Sequence, residues 1–370
     1  MEIIIKSGVL KKECGKIEGI LPAKPAIMIT NGIFFEAKET GVFLTATDLE
    51  NTLRLGLECD KFKKGSMVIT GRKFISLVKQ LPDAEVKITK KENSAEVICN
   101  DSKYSFPCMD DNEFPKLPKF TGDVSVKING KKLSNAIDKV RFCIDPEEPR
   151  PHFRGGLFEI KEDSLNFIGT DTKRLSLFKI TGTGEKYVNP YKCLLPFKLM
   201  GILGMLADID ENIDVSIGKN QIVFNFGNTY LVSQLLAGSE DFPDYGKVIP
   251  SEKQLKYASV SKEEFLSTLK RISLFTSDRY NKVRLSIGKN VMMFSVTSPD
   301  VGQANEKLEI EYNEDKEQDL AFPPNYLIDF LHKAEEGRIV LGFSSEKSPI
   351  IMRGEKNAEY LYVAMPLKLD

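Results

Sequence analysis

The sequence predicts an α+β protein in which one domain is built three times over. Three observations carry this: a length that divides by three, a set of residues recurring in register, and six amphipathic helix patterns set among short alternating strands. The 370 residues make three parts of about 123 each, inside the usual domain range of ~100–150 residues. Gly32, Phe35, Glu36, Thr47 and Asp48 recur as Gly155, Phe158, Glu159, Thr170 and Asp171, each 123 positions on. The apolar frame Ile5, Leu10 and Ile17 recurs as Ile128, Leu133 and Val140, and more weakly as Val260, Phe265 and Ile272. The third copy carries Ser298-Pro299-Asp300 where the others carry Thr-Asp.

The repeat ends also match. Glu113-Phe-Pro115, Asp241-Phe-Pro243 and the closing Ala364-Met-Pro366 suggest linkers near Lys116–Gly122 and Tyr245–Ser251. The expected domains are therefore 1–120, 121–248 and 249–370.

Each third holds two helix patterns. Phe74, Leu77, Val78 and Leu81 follow the i, i+3, i+4, i+7 spacing of one buried stripe, and Leu133, Ala136, Ile137, Val140 and Ile144 do the same. Segments 7–21, 196–209, 261–278 and 323–336 complete the six, with Ser261 and Glu264 placed as a capping box. Val215–Phe224 and Leu285–Phe294 alternate as hairpins and share Ser-Ile-Gly-Lys-Asn, whose Gly-Lys-Asn supplies the turn. Each third thus reads as two similar halves, a helix and a small antiparallel sheet apiece.

Composition narrows the function. The chain is 41% hydrophobic and has no run of 18 apolar residues, so a globular protein without a transmembrane helix is expected, and its start does not read as a signal peptide. The six cysteines form no C-x-x-C pair and read as free thiols of a reducing cytosol. His152 and His332 are the only histidines, which leaves no material for a Cys/His zinc cluster. Nucleophile-elbow, P-loop and zincin motifs are absent, and Gly182-Thr-Gly184-Glu-Lys186 has the wrong spacing for a phosphate loop. Asp48 and Asp171 offer an acid/base reading, but a position shared by the repeats suits a structural turn better. The chain reads as a binder, with no cofactor and no metal.

Four stretches carry a resemblance across the whole chain: Leu44-Thr-Ala-Thr-Asp-Leu49, Ile168-Gly-Thr-Asp-Thr-Lys-Arg-Leu175, Asp241-Phe-Pro-Asp-Tyr245 with Val248-Ile-Pro250, and Tyr362-Val-Ala-Met-Pro-Leu-Lys-Leu369. In order and in register they resemble the bacterial DNA polymerase III beta-subunit family, the sliding clamps. The resemblance implies three DNA-clamp domains per chain, helices lining a central hole, antiparallel sheets outside, and a head-to-tail homodimeric ring. It implies a non-catalytic processivity subunit of the replicative polymerase. Its partners would be double-stranded DNA, held without sequence preference through the ring, a second copy of the chain, and the polymerase, clamp loader and other proteins carrying a clamp-binding peptide. No membrane partner is implied, and the location would be cytoplasmic, at the nucleoid. A scaffold on the clamp fold that no longer encircles DNA is the remaining alternative.

The charge pattern has the matching sign. The whole chain is at −1, yet the six helix segments carry 15 basic and 10 acidic residues, leaving 37 and 43 elsewhere. Lysines coating solvated helix faces would give much of the same bias.

By the resemblance, Lys24 and the pair His152-Phe153 align with DNA contacts, although His152 stands where Tyr is usual. Arg72, Lys73, Lys79, Lys131, Lys132 and Lys139 join them by helix position. The peptide cleft would use Phe153, Thr170, Thr172, Lys173, Arg174, Leu175, Pro243, Lys247, Val248, Tyr326, Ser348, Val363, Met365, Pro366 and Leu367. Thr172-Lys173 replaces a common Gly-His, and Pro323-Pro324 replaces a common polar residue. Tyr104, Phe106, Leu274 and Phe275 would form the dimer seam. Read singly, most of these are solvated charges or ordinary core.

Overall fold

The computed structural model describes residues 1–118, 120, 122–182 and 190–369. Residues 183–186 of the segment compared with a phosphate loop lie outside them. The first repeat runs β1 (Glu2–Lys6), α1 (Ser7–Glu18), β2 (Gly32–Lys38), β3 (Gly41–Thr47), β4 (Asn51–Leu57), β5 (Lys61–Lys63), β6 (Gly65–Thr70), α2 (Gly71–Gln80), β7 (Glu85–Lys90), β8 (Ser94–Cys99) and β9 (Ser102–Met109). The second runs β10 (Val124–Asn129), α3 (Gly130–Arg141), β11 (Gly155–Lys161), β12 (Ser164–Thr170), β13 (Arg174–Thr181), β14 (Tyr191–Pro196), α4 (Phe197–Leu206), β15 (Asn212–Ile217), β16 (Gln221–Phe226) and β17 (Thr229–Gln234). The third runs β18 (Lys256–Ser261), α5 (Lys262–Ser273), β19 (Val283–Gly288), β20 (Val291–Ser298), β21 (Gly302–Glu309), β22 (Gln318–Phe322), α6 (Pro324–Lys333), β23 (Arg338–Phe343), β24 (Ile350–Gly354) and β25 (Tyr360–Ala364).

The 123-residue spacing is structural. α3, β11 and β12 begin and end 123 positions after α1, β2 and β3, and α5 copies α1 at 255. The frame residues Ile5, Leu10, Ile17, Ile128, Leu133, Val140, Val260, Phe265 and Ile272 are all buried. The glycine pair that marks the repeat has a steric cause. A Cβ at Gly155 would lie 2.2 Å from the Leu195 carbonyl oxygen, and one at Gly32 2.3 Å from Val68 Cγ1.

All six helices form, with shorter ends than the apolar patterns suggest. α1 stops at Glu18 with Gly19 as its cap, three residues before the expected end at Leu21, and α5 stops at Ser273 rather than Asp278. In α2, Ile75 is buried with Phe74 and Val78, while Leu77 is only half-buried, so the core stripe is rotated from the one expected. The Ser261 hydroxyl caps α5 by accepting from Glu264 N at 3.5 Å. Both Gly-Lys-Asn segments turn hairpins, β15–β16 and β19–β20, the second with Asn290 at φ 58°.

The chain divides into two compact units, residues 1–134 with 201–235, and residues 135–200 with 236–369. The first contains a thirteen-stranded sheet in the order β10-β15-β16-β17-β4-β3-β2-β6-β9-β8-β7-β1-β5. The second contains an eight-stranded sheet, β14-β11-β12-β13-β25-β24-β23-β18, and a four-stranded one, β21-β20-β19-β22.

One four-stranded pattern underlies all of this. β6-β2-β3-β4, β14-β11-β12-β13 and β22-β19-β20-β21 share one order, and β1-β7-β8-β9, β10-β15-β16-β17 and β18-β23-β24-β25 share another. The halves join antiparallel, β4 to β17 and β13 to β25. Their counterparts β21 and β9 are left over. β21 ends its sheet, and Ser102–Pro107 of β9 pair only with β8.

The six cysteines are free, and burial raises the thiols of Cys14 and Cys193 to about 12. No helix among the described residues is long and apolar enough to cross a membrane.

Candidate peptide-binding cleft and nucleic-acid-facing cations

A five-residue turn fixes one wall of a small cavity that lies within the second unit. Thr170 Oγ1 donates to the Arg174 carbonyl at 2.7 Å and accepts from Thr172 N at 3.0 Å. Asp171 Oδ1 accepts from Lys173 N at 3.0 Å and Arg174 N at 2.9 Å. This Asx arrangement holds Thr172 at φ 72°. The first repeat has the same turn. Thr47 Oγ1 donates to Asn51 O and accepts from Leu49 N, both at 3.0 Å, Asp48 Oδ1 accepts from Asn51 N at 2.6 Å, and Leu49 sits at φ 78°. Asp48 and Asp171 therefore serve their own backbones, which is the structural role the repeat suggested. The third copy turns through Gly302 at φ 130°.

The C-terminal strand supplies the opposing wall. Leu175 pairs with Val363 across β13 and β25, and Met365 N donates to Lys173 O at 2.9 Å. Behind them lie buried Phe153, Leu157, Ile168, Leu194, Phe242 and Ile351. The opening is a cavity of about 160 Å³ lined by Arg150, Phe153, Thr170, Thr172, Lys173, Arg174, Leu175, Pro243, Tyr245, Val248, Val363 and Met365. Val248 is 38% and Met365 39% exposed, so apolar surface stands open at its mouth.

Ten of the fifteen expected cleft residues line this cavity. Five do not. Lys247 points to solvent and pairs with Asp244 at 3.6 Å. Ser348 shares a hydroxyl contact of 2.7 Å with Ser345. Tyr326 lies under the Arg174 guanidinium at 4.8 Å. Pro366 and Leu367 run past the cavity, Leu367 N donating to Ala321 O at 2.7 Å.

Arg150 and Tyr245 line the cavity without having been expected. Tyr245 stood inside the Asp241–Tyr245 stretch, but nothing in one sequence says which way its ring turns. Its hydroxyl donates to Glu159 and accepts from Lys161 at 3.1 Å and Asn166 at 3.3 Å. Burial, then the bond to Glu159, pushes its pKa up.

Arg174 is the most heavily bonded group here. Nε donates to Asp171 at 2.9 Å, Nη1 to Asp329 at 2.7 Å and Nη2 to Phe142 O at 3.1 Å. Burial acts to lower its pKa, but Cys143, Tyr362, Asp329 and Asp171 together hold it above the usual value. It is a fixed cation that shapes the pocket and titrates nowhere near neutrality.

The candidate DNA contacts separate by exposure. Lys24, Arg72, Lys73, Lys79, Lys131 and Lys132 are exposed. Arg72 donates to Leu21 O at 2.8 Å, anchoring the loop that presents Lys24, while Lys79 pairs with Glu18 at 2.6 Å and Lys131 with Asp210 at 3.2 Å. Lys139 and Phe153 leave this set. Lys139 is buried, its ammonium on the Lys333 carbonyl and over the Tyr360 ring at 5.2 Å, and Phe153 is buried in the cleft wall. Helix position alone cannot distinguish a lysine that caps a neighbouring helix from one facing solvent. His152 is half-buried, its ring centroid 4.4 Å from that of Phe153.

At the expected seam, Leu274 is 73% exposed as the C-cap of α5, and Tyr104 is exposed on β9. Phe275 lies against Gly302 at the start of β21, where a Cβ would meet its ring at 3.9 Å. Phe106 packs edge-on against Phe74 with centroids 5.8 Å apart.

Three family models match in order: DNA polymerase III beta subunit N-terminal domain over residues 1–118, central domain over 127–244 and C-terminal domain over 246–368. The chain belongs to the DNA polymerase III beta-subunit family. A curated family member, the "Beta sliding clamp" of Staphylococcus aureus, is 26% identical over 100% of this chain and 99% of its own length. The Bacillus subtilis DNA polymerase sliding clamp matches at 25% identity with a TM-score of 0.91, covering both chains fully. A DnaN sliding clamp from Pseudomonas aeruginosa, solved with griselimycin bound, shares the fold at a TM-score of 0.94 and 22% identity, again over the whole of both chains. The three repeats read from the sequence are the family's three clamp domains.

Proposed function

We propose that two copies of this chain close head to tail into a ring that encircles duplex DNA and tethers the replicative polymerase. The family is that of a processivity factor rather than a catalytic enzyme, so the mechanism is topological. The observation that carries the reading is the pair of leftover edges. Within the chain β4 takes β17 and β13 takes β25; a third pairing of the same kind, β21 of one copy with β9 of another, uses both free edges. Two such heterologous contacts close a two-chain ring. Leu274 and Phe275 beside β21, and Tyr104 and Phe106 on β9, would then be covered.

In this reading the domains divide as 1–120, 121–248 and 249–370. Lys24, Arg72, Lys73, Lys79, Lys131, Lys132 and His152 meet the DNA backbone without reading sequence. The cavity between the Thr170–Arg174 turn and Val363–Met365 takes an aromatic or leucine anchor of a linear peptide carried by polymerase, clamp loader or repair proteins. Lys247, Tyr326, Ser348, Pro366 and Leu367 flank that peptide. The ring works in the cytoplasm, at the nucleoid.

The test is retention. Protein loaded on a nicked circular plasmid should stay on it through gel filtration and be lost once the plasmid is cut. Equal retention on both forms overturns the reading. A variant lacking residues 365–370 should lose peptide binding and keep the dimer.

A further inference from the structure

The segment after β25 is shared by two cavities. Met365 lines the peptide cleft, while Leu367, Lys368 and Leu369 line a second, more open groove of about 770 Å³ in the same unit. That groove is cationic. Among the described residues, Arg279, Lys282, Arg284 and Lys368 line it, against one carboxylate, Asp278. Two of these cations are committed: Arg284 forms a bidentate pair with Asp319, at 2.7 and 3.2 Å, and Lys282 donates to the Lys368 and Leu369 carbonyls at 3.2 Å each. The Lys282 bonds, with Leu367 N on Ala321 O at 2.7 Å, tie the tail against the sheet and form the groove's floor. Arg279 and Lys368 meet no carboxylate among the described residues.

From this geometry we propose that the groove selects partners by an acidic stretch flanking the anchor of the cleft-bound peptide. The proposal rests on the cleft reading above and adds to it the partner's flanking charge. The route is short, because Met365 and Leu367 are two residues apart. The recognition is electrostatic at an exposed site, so each added pair contributes modestly and is screened by salt.

The probe is a fluorescent, uncharged pentapeptide carrying leucine and phenylalanine anchors, compared with versions extended by Asp-Glu-Asp at either end. At low ionic strength one extended peptide should bind the full-length protein about three- to ten-fold more tightly than the core, the gain of one or two exposed ion pairs, and raised salt should remove that gain. The double variant Arg279→Ser with Lys368→Ser should bind the core peptide like the parent and lose the gain. Equal affinity of all three peptides for the parent protein overturns the proposal. So does a gain that survives in the double variant. A short DNA duplex that cancels the gain without displacing the core peptide assigns the groove to phosphates and also overturns it. Failure of the core peptide itself to bind would instead count against the cleft.

Discussion

Arg174, the first residue of β13, donates from Nη1 to Asp329 Oδ2 on α6 at 2.7 Å while its Nε holds Asp171 in the turn beside it. One guanidinium thereby fastens the cleft's turn to a helix 155 residues further along the chain. Because the side chain is largely buried, losing it strands two carboxylates and the Phe142 carbonyl. Arg174→Ala should destabilise the protein by ~2–4 kcal/mol and weaken the anchor peptide at least tenfold. Asp329→Asn, at a more exposed partner, should cost less. Thermal unfolding and peptide anisotropy would check both, and an Arg174→Ala protein with parental affinity would remove the residue from the cleft.

Leu274 exposes 73% of its surface at the end of α5. A side chain this open costs nothing to charge in the isolated chain, so Leu274→Lys should leave the melting curve of the monomer unchanged. Buried at a seam, the same charge is costly. Mass by light scattering at low micromolar concentration should fall from two chains to one. A dimer of undiminished mass would place the seam elsewhere.

The two Asx turns differ in tolerance. Leu49 holds φ 78° and is 43% exposed, so it gains little burial in return for a left-handed backbone. Leu49→Gly should raise stability by up to ~1 kcal/mol. Asp48→Ala should lower it by about 1 kcal/mol, the value of a lost cap-like acceptor. Urea titration would read both, and a stabilising Asp48→Ala would contradict the turn's role.

Asp319 gives a pH dependence. The hydrogen bond from Arg284 holds its carboxyl below the ordinary value, with Ser286 adding to it. The unfolded group titrates near ~3.9, so the stabilisation is complete above that value and is lost as pH falls through the lower folded value. Asp319→Asn should therefore melt below the parent at pH 6, and the gap should narrow by pH 3. A gap independent of pH would show the interaction to be other than ionic.

α6 ends on two ammonium groups. Lys139 reaches the Lys333 carbonyl, and Lys262 donates to the Ala334 carbonyl at 2.9 Å and to Glu336 at 2.7 Å. Cations at a helix C-terminus are favourable, and here they are nearly dry. Lys139→Met should cost ~1–3 kcal/mol; unchanged stability would mean that the carbonyl finds water instead.

The repeat, and with it the fold, is legible in the chain alone. Period, helix stripes, hairpin turns and the Thr-Asp turns are local, and locality is what a linear pattern records. Gly32 and Gly155 were visible as matches, although the reason, a backbone oxygen or a methyl within 2.3 Å, is tertiary. Most of the cleft was legible because it uses the strand ends and turns that carry the family resemblance. The rest came from packing between distant segments. It turned Tyr245 into the cavity, buried Lys139 against a helix end, and set Arg174 between two distant carboxylates. It also left β21 and most of β9 without the partners that β4 and β13 found in β17 and β25. Side-chain direction and strand partnership depend on what the rest of the chain brings near, and no spacing along the sequence encodes that.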